Sequence, residues 1–214
     1  MRESFFSGKQ TQVLSEVLTE TETKKRVGIL GGTFNPPHLA HLVVADQVCQ
    51  QLGLDKVYFM PTANPPHVDA KKTIDSKHRV NMVKRAISDN PQFDIETIEV
   101  ERGGKSYTYD TMLELIQRHP DTEYYFIIGA DMVNYLPKWY KIDGLMQLVQ
   151  FVGVKRPGYV IDTQYPLIWV DVPEIEVSST SVRKNIARGC TVNYLVPAAV
   201  LDYIQQEGLY RDEK

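Results

Sequence analysis

The sequence predicts an α/β fold: a doubly wound, mainly parallel sheet with a helical segment towards the C-terminus. Three observations predict it. From Arg26 onward, short apolar runs that stop at glycine or proline alternate with stretches of helical periodicity, as in strands joined by crossover helices. The apolar runs fit buried strands, so helices should cover both faces of the sheet. The chain has 214 residues and is 43% apolar, enough for one large domain with a real core.

Each element follows in order. Val27-Gly28-Ile29-Leu30 is the first strand, and Leu39 to Leu52 is a helix with Leu42, Val43, Ala45, Val48, Cys49 and Leu52 at helical spacing and Gly53 as its stop. Val57 to Met60 is the second strand, ended by Pro61. Thr62 to Asp75 holds two prolines and no periodicity, a long loop of the kind that often carries function. Ser76 opens a helix with Val80, Met82, Val83 and Ile87 as its apolar positions. Phe93-Asp94-Ile95 and Ile98-Glu99-Val100 read as strand pieces, Tyr109 to Arg118 as a helix, and Tyr124 to Ile128, Leu148 to Val154 and Leu167 to Val170 as strands. Thr180 to Arg188 and Pro197 to Gln206 are helical, with Pro197 in the first turn and Gly208 at the C-terminal cap. Residues 1–25 read as an N-terminal extension, a mobile tail, and residues 26–214 as a single domain whose C-terminal helices start near residue 179.

Composition narrows the function. A net charge of −3 argues against a general nucleic-acid surface. Cys49 and Cys190 form no CxxC or paired spacing, so no zinc site or disulfide framework is expected. No apolar run approaches membrane-spanning length, and the N-terminus has no signal-peptide core. A cytoplasmic protein is expected. The sequence is silent on oligomeric state, and a homodimer is compatible with it.

Ligands of doubly wound sheets bind beyond the carboxyl ends of the strands. After the first strand comes Gly31-Gly32-Thr33-Phe34-Asn35-Pro36-Pro37-His38-Leu39-Ala40-His41. The glycines let backbone approach a ligand closely. The helix start that follows suits phosphate. His38 and His41, three apart, share a helix face and can donate to phosphate oxygens. No Walker loop, GxGxxG or HExxH pattern is present. Far along the chain, Val177-Ser178-Ser179-Thr180-Ser181-Val182-Arg183 supplies hydroxyls at a helix start, with Arg183 about one turn inside. Gly129 and Asp131 follow the strand Tyr124 to Ile128. Asp131 reads equally as a helix cap or as an acceptor for a ribose hydroxyl.

These residues carry a resemblance. GGTFNPPHLAH resembles the nucleotide-binding motif of the nucleotidylyltransferase superfamily, whose common form ends His-x-Gly-His. Ala40 stands here at the usual glycine, and Asn35 where many members have Asp. The Val177–Arg183 segment is similar to that superfamily's second motif, Ser/Thr-Ser/Thr-x-x-x-Arg. From about Arg26 to Tyr210 the chain most resembles bacterial nicotinate mononucleotide adenylyltransferases. The supporting segments are Pro65-Pro66-His67, Ser106-Tyr107-Thr108-Tyr109-Asp110-Thr111, Ile128-Gly129-Ala130-Asp131-Met132, Leu136-Pro137-Lys138-Trp139-Tyr140 and Val154-Lys155-Arg156-Pro157-Gly158.

The resemblance implies a Rossmann-like fold. It also implies transfer of AMP from ATP to nicotinate mononucleotide, with release of pyrophosphate, in NAD biosynthesis. Gly31, Gly32, Thr33, Phe34, His38, His41, Gly129, Asp131, Ser179, Thr180 and Arg183 would bind ATP, with His38, His41 and Arg183 catalytic. Trp139 would stack on the pyridinium ring, while Thr108 and Tyr140 offer backbone N–H groups to its carboxylate. Without the resemblance, Trp139 would read as a packing aromatic and Thr108 as a helix cap. Lys71, Lys72 and Arg79 read as solvated surface charges, with attraction of the anionic substrate as the other reading. Mg²⁺ would come with ATP and be held by phosphate oxygens and water, with no protein ligands. A pantetheine-phosphate adenylyltransferase on the same fold and a non-catalytic nucleotide sensor are the rival functions.

Overall fold

Lys25–Gly32 (β1) forms the middle of a parallel sheet because its side chains are buried on both faces. The computed structural model describes residues 24–64, 73–155 and 163–211. The expected N-terminal tail, Pro65-Pro66-His67, Lys71, Lys72 and Arg156-Pro157-Gly158 lie outside the described residues, apart from the last two residues of that tail. After β1 come α1 (Leu39–Leu52), β2 (Lys56–Pro61), α2 (Ser76–Ala86), β3 (Phe93–Ile95), α3 (Ile98–Arg102) and α4 (Thr108–Arg118). Then follow β4 (Thr122–Gly129), α5 (Ala130–Val133), a 3₁₀ turn at Leu136–Lys138, α6 (Ile142–Leu148) and β5 (Gln150–Val154). The chain continues through β6 (Ile168–Val170), α7 (Ser179–Ala187) and α8 (Ala198–Gln206).

The six strands are ordered β3-β2-β1-β4-β5-β6, and every pairing is parallel. Ile29 of β1 lies opposite Tyr58 of β2 on one side and Phe126 of β4 on the other. The order reverses between β1 and β4, and a crevice opens there at the strands' carboxyl ends. Alternation along β4 shows the double winding. Tyr124, Phe126 and Ile128 face a core with Met112, Leu115, Leu136 and Leu145. Tyr125 and Ile127 face the opposite core with Ala45, Val48, Met82 and Val200. Successive strand residues point to opposite faces, and both faces here are roofed by helices, so the run is apolar throughout.

The last helix, α8, folds back on α2. Tyr203 Oη meets His78 Nδ1 at 2.9 Å and accepts from Asn81 Nδ2 at 3.2 Å, and Arg85 lies over its ring. No helix among the described residues is long and apolar enough to cross a membrane.

Three expectations are corrected. Ile98-Glu99-Val100 is the start of α3, not a strand. Glu96 Oε1 accepts from the Ile98 N–H at 2.9 Å, and Thr97 donates to Glu101. This local bonding turns a three-residue apolar alternation into a helical turn. Leu148 closes α6, a helix the periodicity did not reveal, and β5 begins at Gln150. Arg79 is no surface charge: it is 2% exposed.

Candidate active site

The first motif is held in shape from behind. Phe34 adopts φ 49° and is 1% exposed. A Cβ on Gly32 would lie 3.0 Å from its ring, so any larger residue would crowd the ring where it folds under the turn. The same ring meets His41 edge-on at 5.0 Å. Phe34 therefore supports the site rather than lining it, whereas Gly31, Gly32, Thr33, His38 and His41 do line a cavity of about 420 Å³. That volume suits a small-molecule ligand. Ala40 also lines it.

His38 caps α1, and its backbone N–H donates to His41 Nδ1 at 3.2 Å. The two imidazoles stack at 3.7 Å with 24° between planes. Because Nδ1 of His41 accepts, the neutral ring carries its proton on Nε2. The backbone thus sets His41 up as a donor.

The second motif is fastened to the first across 148 residues of sequence, with Arg183 Nη1 donating to the Asn35 carbonyl at 2.9 Å. Ser179 Oγ donates to the Pro36 carbonyl at 2.8 Å. Ser178 and Ser181 form a reciprocal cap on α7, so the helix start is fixed as well. Ser178 and Ser179 line the cavity. Arg183 stands behind that lining, half-buried, and Thr180 is exposed and outside it.

Gly129 and Asp131 line the wall at the end of β4. Asp131 folds back over the glycine, so a Cβ on Gly129 would sit 2.5 Å from Asp131 Oδ1. Thr108, Trp139 and Tyr140 line the other side. The Trp139 ring stands edge-on to Phe126 and Phe151, and its Nε1 is buried without a hydrogen-bond partner. Tyr140 packs on Tyr107 at 4.8 Å. Every predicted site residue except Phe34, Thr180 and Arg183 therefore lines one cleft, and Arg183 is bonded to the backbone of the first motif at Asn35.

Sequence reasoning missed several contributors. Arg79 donates to the carbonyls of Thr33 at 3.0 Å, Thr62 at 2.8 Å and Ile74 at 3.3 Å, binding the first motif to the end of β2. Burial pushes its guanidinium down, partly offset by Tyr210 and Asp75. A signal was present, since Arg79, Met82, Val83 and Ala86 are the buried positions of α2, at i, i+3, i+4 and i+7. Tyr210 Oη donates to Asn35 Oδ1 at 2.7 Å, a contact no local pattern announces. Glu99, 2% exposed, lines the cavity beside Ser106 and Thr108. Burial pushes its carboxyl up, against the Ser106 and Thr111 hydroxyls and the Arg102 charge.

The chain is similar to known proteins in sequence and in fold. The cytidylyltransferase-like family model matches residues 29–185. A protein of Enterococcus faecalis described as a probable nicotinate-nucleotide adenylyltransferase is 60% identical over 94% of this chain and 92% of its own length. Another so described, from Lactiplantibacillus plantarum, is 62% identical over 93% of this chain and 96% of its own. Among solved structures, Plasmodium falciparum nicotinic acid mononucleotide adenylyltransferase complexed with NaAD superposes with a TM-score of 0.73 at 22% identity. That match covers 87% of this chain and 97% of the other, a likeness of fold.

Proposed function

Since the chain belongs to the nicotinate-nucleotide adenylyltransferase family, we propose that it performs that reaction in this cleft. AMP passes from ATP to nicotinate mononucleotide, giving nicotinate adenine dinucleotide and pyrophosphate. The mononucleotide phosphate attacks the α-phosphorus in line, and no protein nucleophile is needed. Positioning and charge stabilisation carry such transfers.

ATP lies along the Gly31–Thr33 turn, with its ribose at Gly129 and Asp131. His41 donates Nε2–H to the α-phosphate as charge develops there, and His38 supports the triphosphate. Arg183, Ser179 and Thr180 hold the leaving phosphates. A guanidinium has five donors, enough to serve the Asn35 carbonyl and a phosphate oxygen together. The acceptor's ring stacks on Trp139, and its carboxylate takes backbone N–H groups of Thr108 and Tyr140. A divalent cation bound to ATP, Mg²⁺, would be held by phosphate oxygens and water and would supply neutralisation of phosphate charge. Residues 26–214 act as one catalytic unit in the cytoplasm, where ATP is supplied.

The observation that carries this proposal is the bond from Arg183 to Asn35. It unites the imidazole-bearing and guanidinium-bearing segments around one crevice at the switch point. The test is pyrophosphate release with ATP and Mg²⁺. Release is expected with nicotinate mononucleotide, less with nicotinamide mononucleotide and none with phosphopantetheine. Release with phosphopantetheine, or none with either pyridine mononucleotide, overturns it.

A further inference from the structure

Glu99 is a buried carboxyl that the mechanism above does not use. It sits on α3, packed against the first turn of α4, where Thr111 Oγ1 donates to its Oε1 at 3.0 Å. The same turn presents Tyr107 and Thr108 to the cleft, and Tyr107 leads by ring contact to Tyr140. Its Oε2 is buried and has no partner of hydrogen-bond geometry, although the residue lines the cavity. Of the described residues lining that cavity, only Glu99 and Asp131 are carboxylic acids, and none is Lys or Arg. Asp131 stands at the end of β4, folded over Gly129, leaving Glu99 as the carboxyl of the Ser106–Thr108 side.

An acceptor of the kind proposed carries two opposite charges: a ring carboxylate and a quaternary ring nitrogen. The start of α4, with its N–H groups and partial positive charge, suits the carboxylate. The cation needs an anion that water does not screen. We infer that the Glu99 carboxylate faces the acceptor's cationic pyridinium ring and determines specificity for a charged ring, an inference that rests on the acceptor proposed above. Burial raises this carboxyl's pKa in the protein alone. A cation placed beside it favours the charged form, so ring binding and ionisation of Glu99 reinforce each other.

The test compares nicotinate mononucleotide with its reduced 1,4-dihydro form, whose ring has the same carboxylate and no charge, in wild type and E99Q. Glutamine keeps the shape and removes the charge. The wild type should bind the charged ring more tightly than the reduced one. In E99Q the KM for nicotinate mononucleotide should rise roughly tenfold, with a far smaller change in kcat and in the KM for ATP. The preference for the charged ring should shrink with it. An unchanged acceptor KM in E99Q overturns the inference, since glutamine can donate to a carboxylate as a neutral acid would. Equal weakening of both rings also overturns it, because a merely structural role predicts that. Equal binding of both rings by wild type overturns it without any variant. E99D retains the charge and should retain the preference; its loss there counts against the inference even if E99Q does not fold. A wild type that turns over no pyridine mononucleotide removes the acceptor proposal itself, a result distinct from these.

Discussion

Arg79→Met removes the guanidinium that ties three backbone carbonyls together while keeping much of the side chain's length and apolar stem. The carbonyls of Thr33 and Thr62, at 3.0 and 2.8 Å, lose their donor in an interior where Arg79 is 2% exposed. Each orphaned buried acceptor costs about 1–3 kcal/mol, so the two together cost about 2–6 kcal/mol. The relief of guanidinium desolvation returns part of that, leaving a net loss of about 3 kcal/mol. In a chain of this size each kcal/mol moves Tm by roughly 2–4 °C, so thermal unfolding followed by circular dichroism should drop by about 6–12 °C. The Thr33 carbonyl belongs to the turn that borders the cleft, so the KM for ATP should rise as well. Arg79→Lys, with a compact ammonium in place of the planar fork, should fall between. A methionine variant with a Tm within about 2 °C of wild type and an unchanged KM for ATP would show that the strap holds nothing.

Three further outcomes follow from the same geometry. His41→Ala should lower kcat by a factor equivalent to roughly 3–4 kcal/mol of barrier, the scale of losing one oxyanion donor; steady-state turnover near wild type refutes the role. Gly129→Ala forces the Asp131 carboxylate away from its present place, because the new Cβ would lie 2.5 Å from Oδ1. Its KM for ATP should rise by about as much as in Asp131→Ala, and a rise in only one of the two separates the residues. Glu99→Gln should raise Tm at neutral pH. The folded carboxyl has its pKa above 4.5, so the native state binds the proton more tightly, and wild-type stability falls as pH climbs from 4.5 through the raised value. The gap between variant and wild type should therefore close below pH 4.5, and a gap that stays constant from acid to neutral pH counts against a buried ionised carboxylate.

What was legible in the sequence followed the period of the signal. Apolar runs such as Tyr124 to Ile128 announced buried strands because both sheet faces are roofed. The two segments proposed to meet phosphate stood out because backbone approach, helix starts and donor side chains constrain neighbouring residues together. What stayed hidden was non-local or too short. Tyr210 reaches Asn35 from 175 positions away. Five-residue α3 and seven-residue α6 offer fewer than two turns each, too little for a 3.6-residue period to show. Arg79 was misread because charge usually means solvent, and its helical phase with Met82, Val83 and Ala86 had to outweigh that habit.

The same separation bears on how the cleft works. The groups proposed to meet phosphate are set by backbone: His41 by the N–H of His38, and Arg183 and Ser179 by the carbonyls of Asn35 and Pro36. Backbone held on both sides by packed helices does not have to reorganise when charge moves from the α-phosphate to the leaving group, which is the condition for electrostatic stabilisation to act on the barrier rather than on binding alone. On the acceptor side the polar atoms differ in kind. Glu99 Oε2, Trp139 Nε1 and Thr62 Oγ1 are buried without hydrogen-bond partners, so their desolvation cost is already met in the folded protein and an acceptor that supplies a partner recovers it. Mutations among the backbone-set groups should therefore act chiefly on kcat, and mutations among the unpartnered ones chiefly on acceptor KM. A set of single variants showing the reverse division would place the chemistry at the wrong end of the cleft.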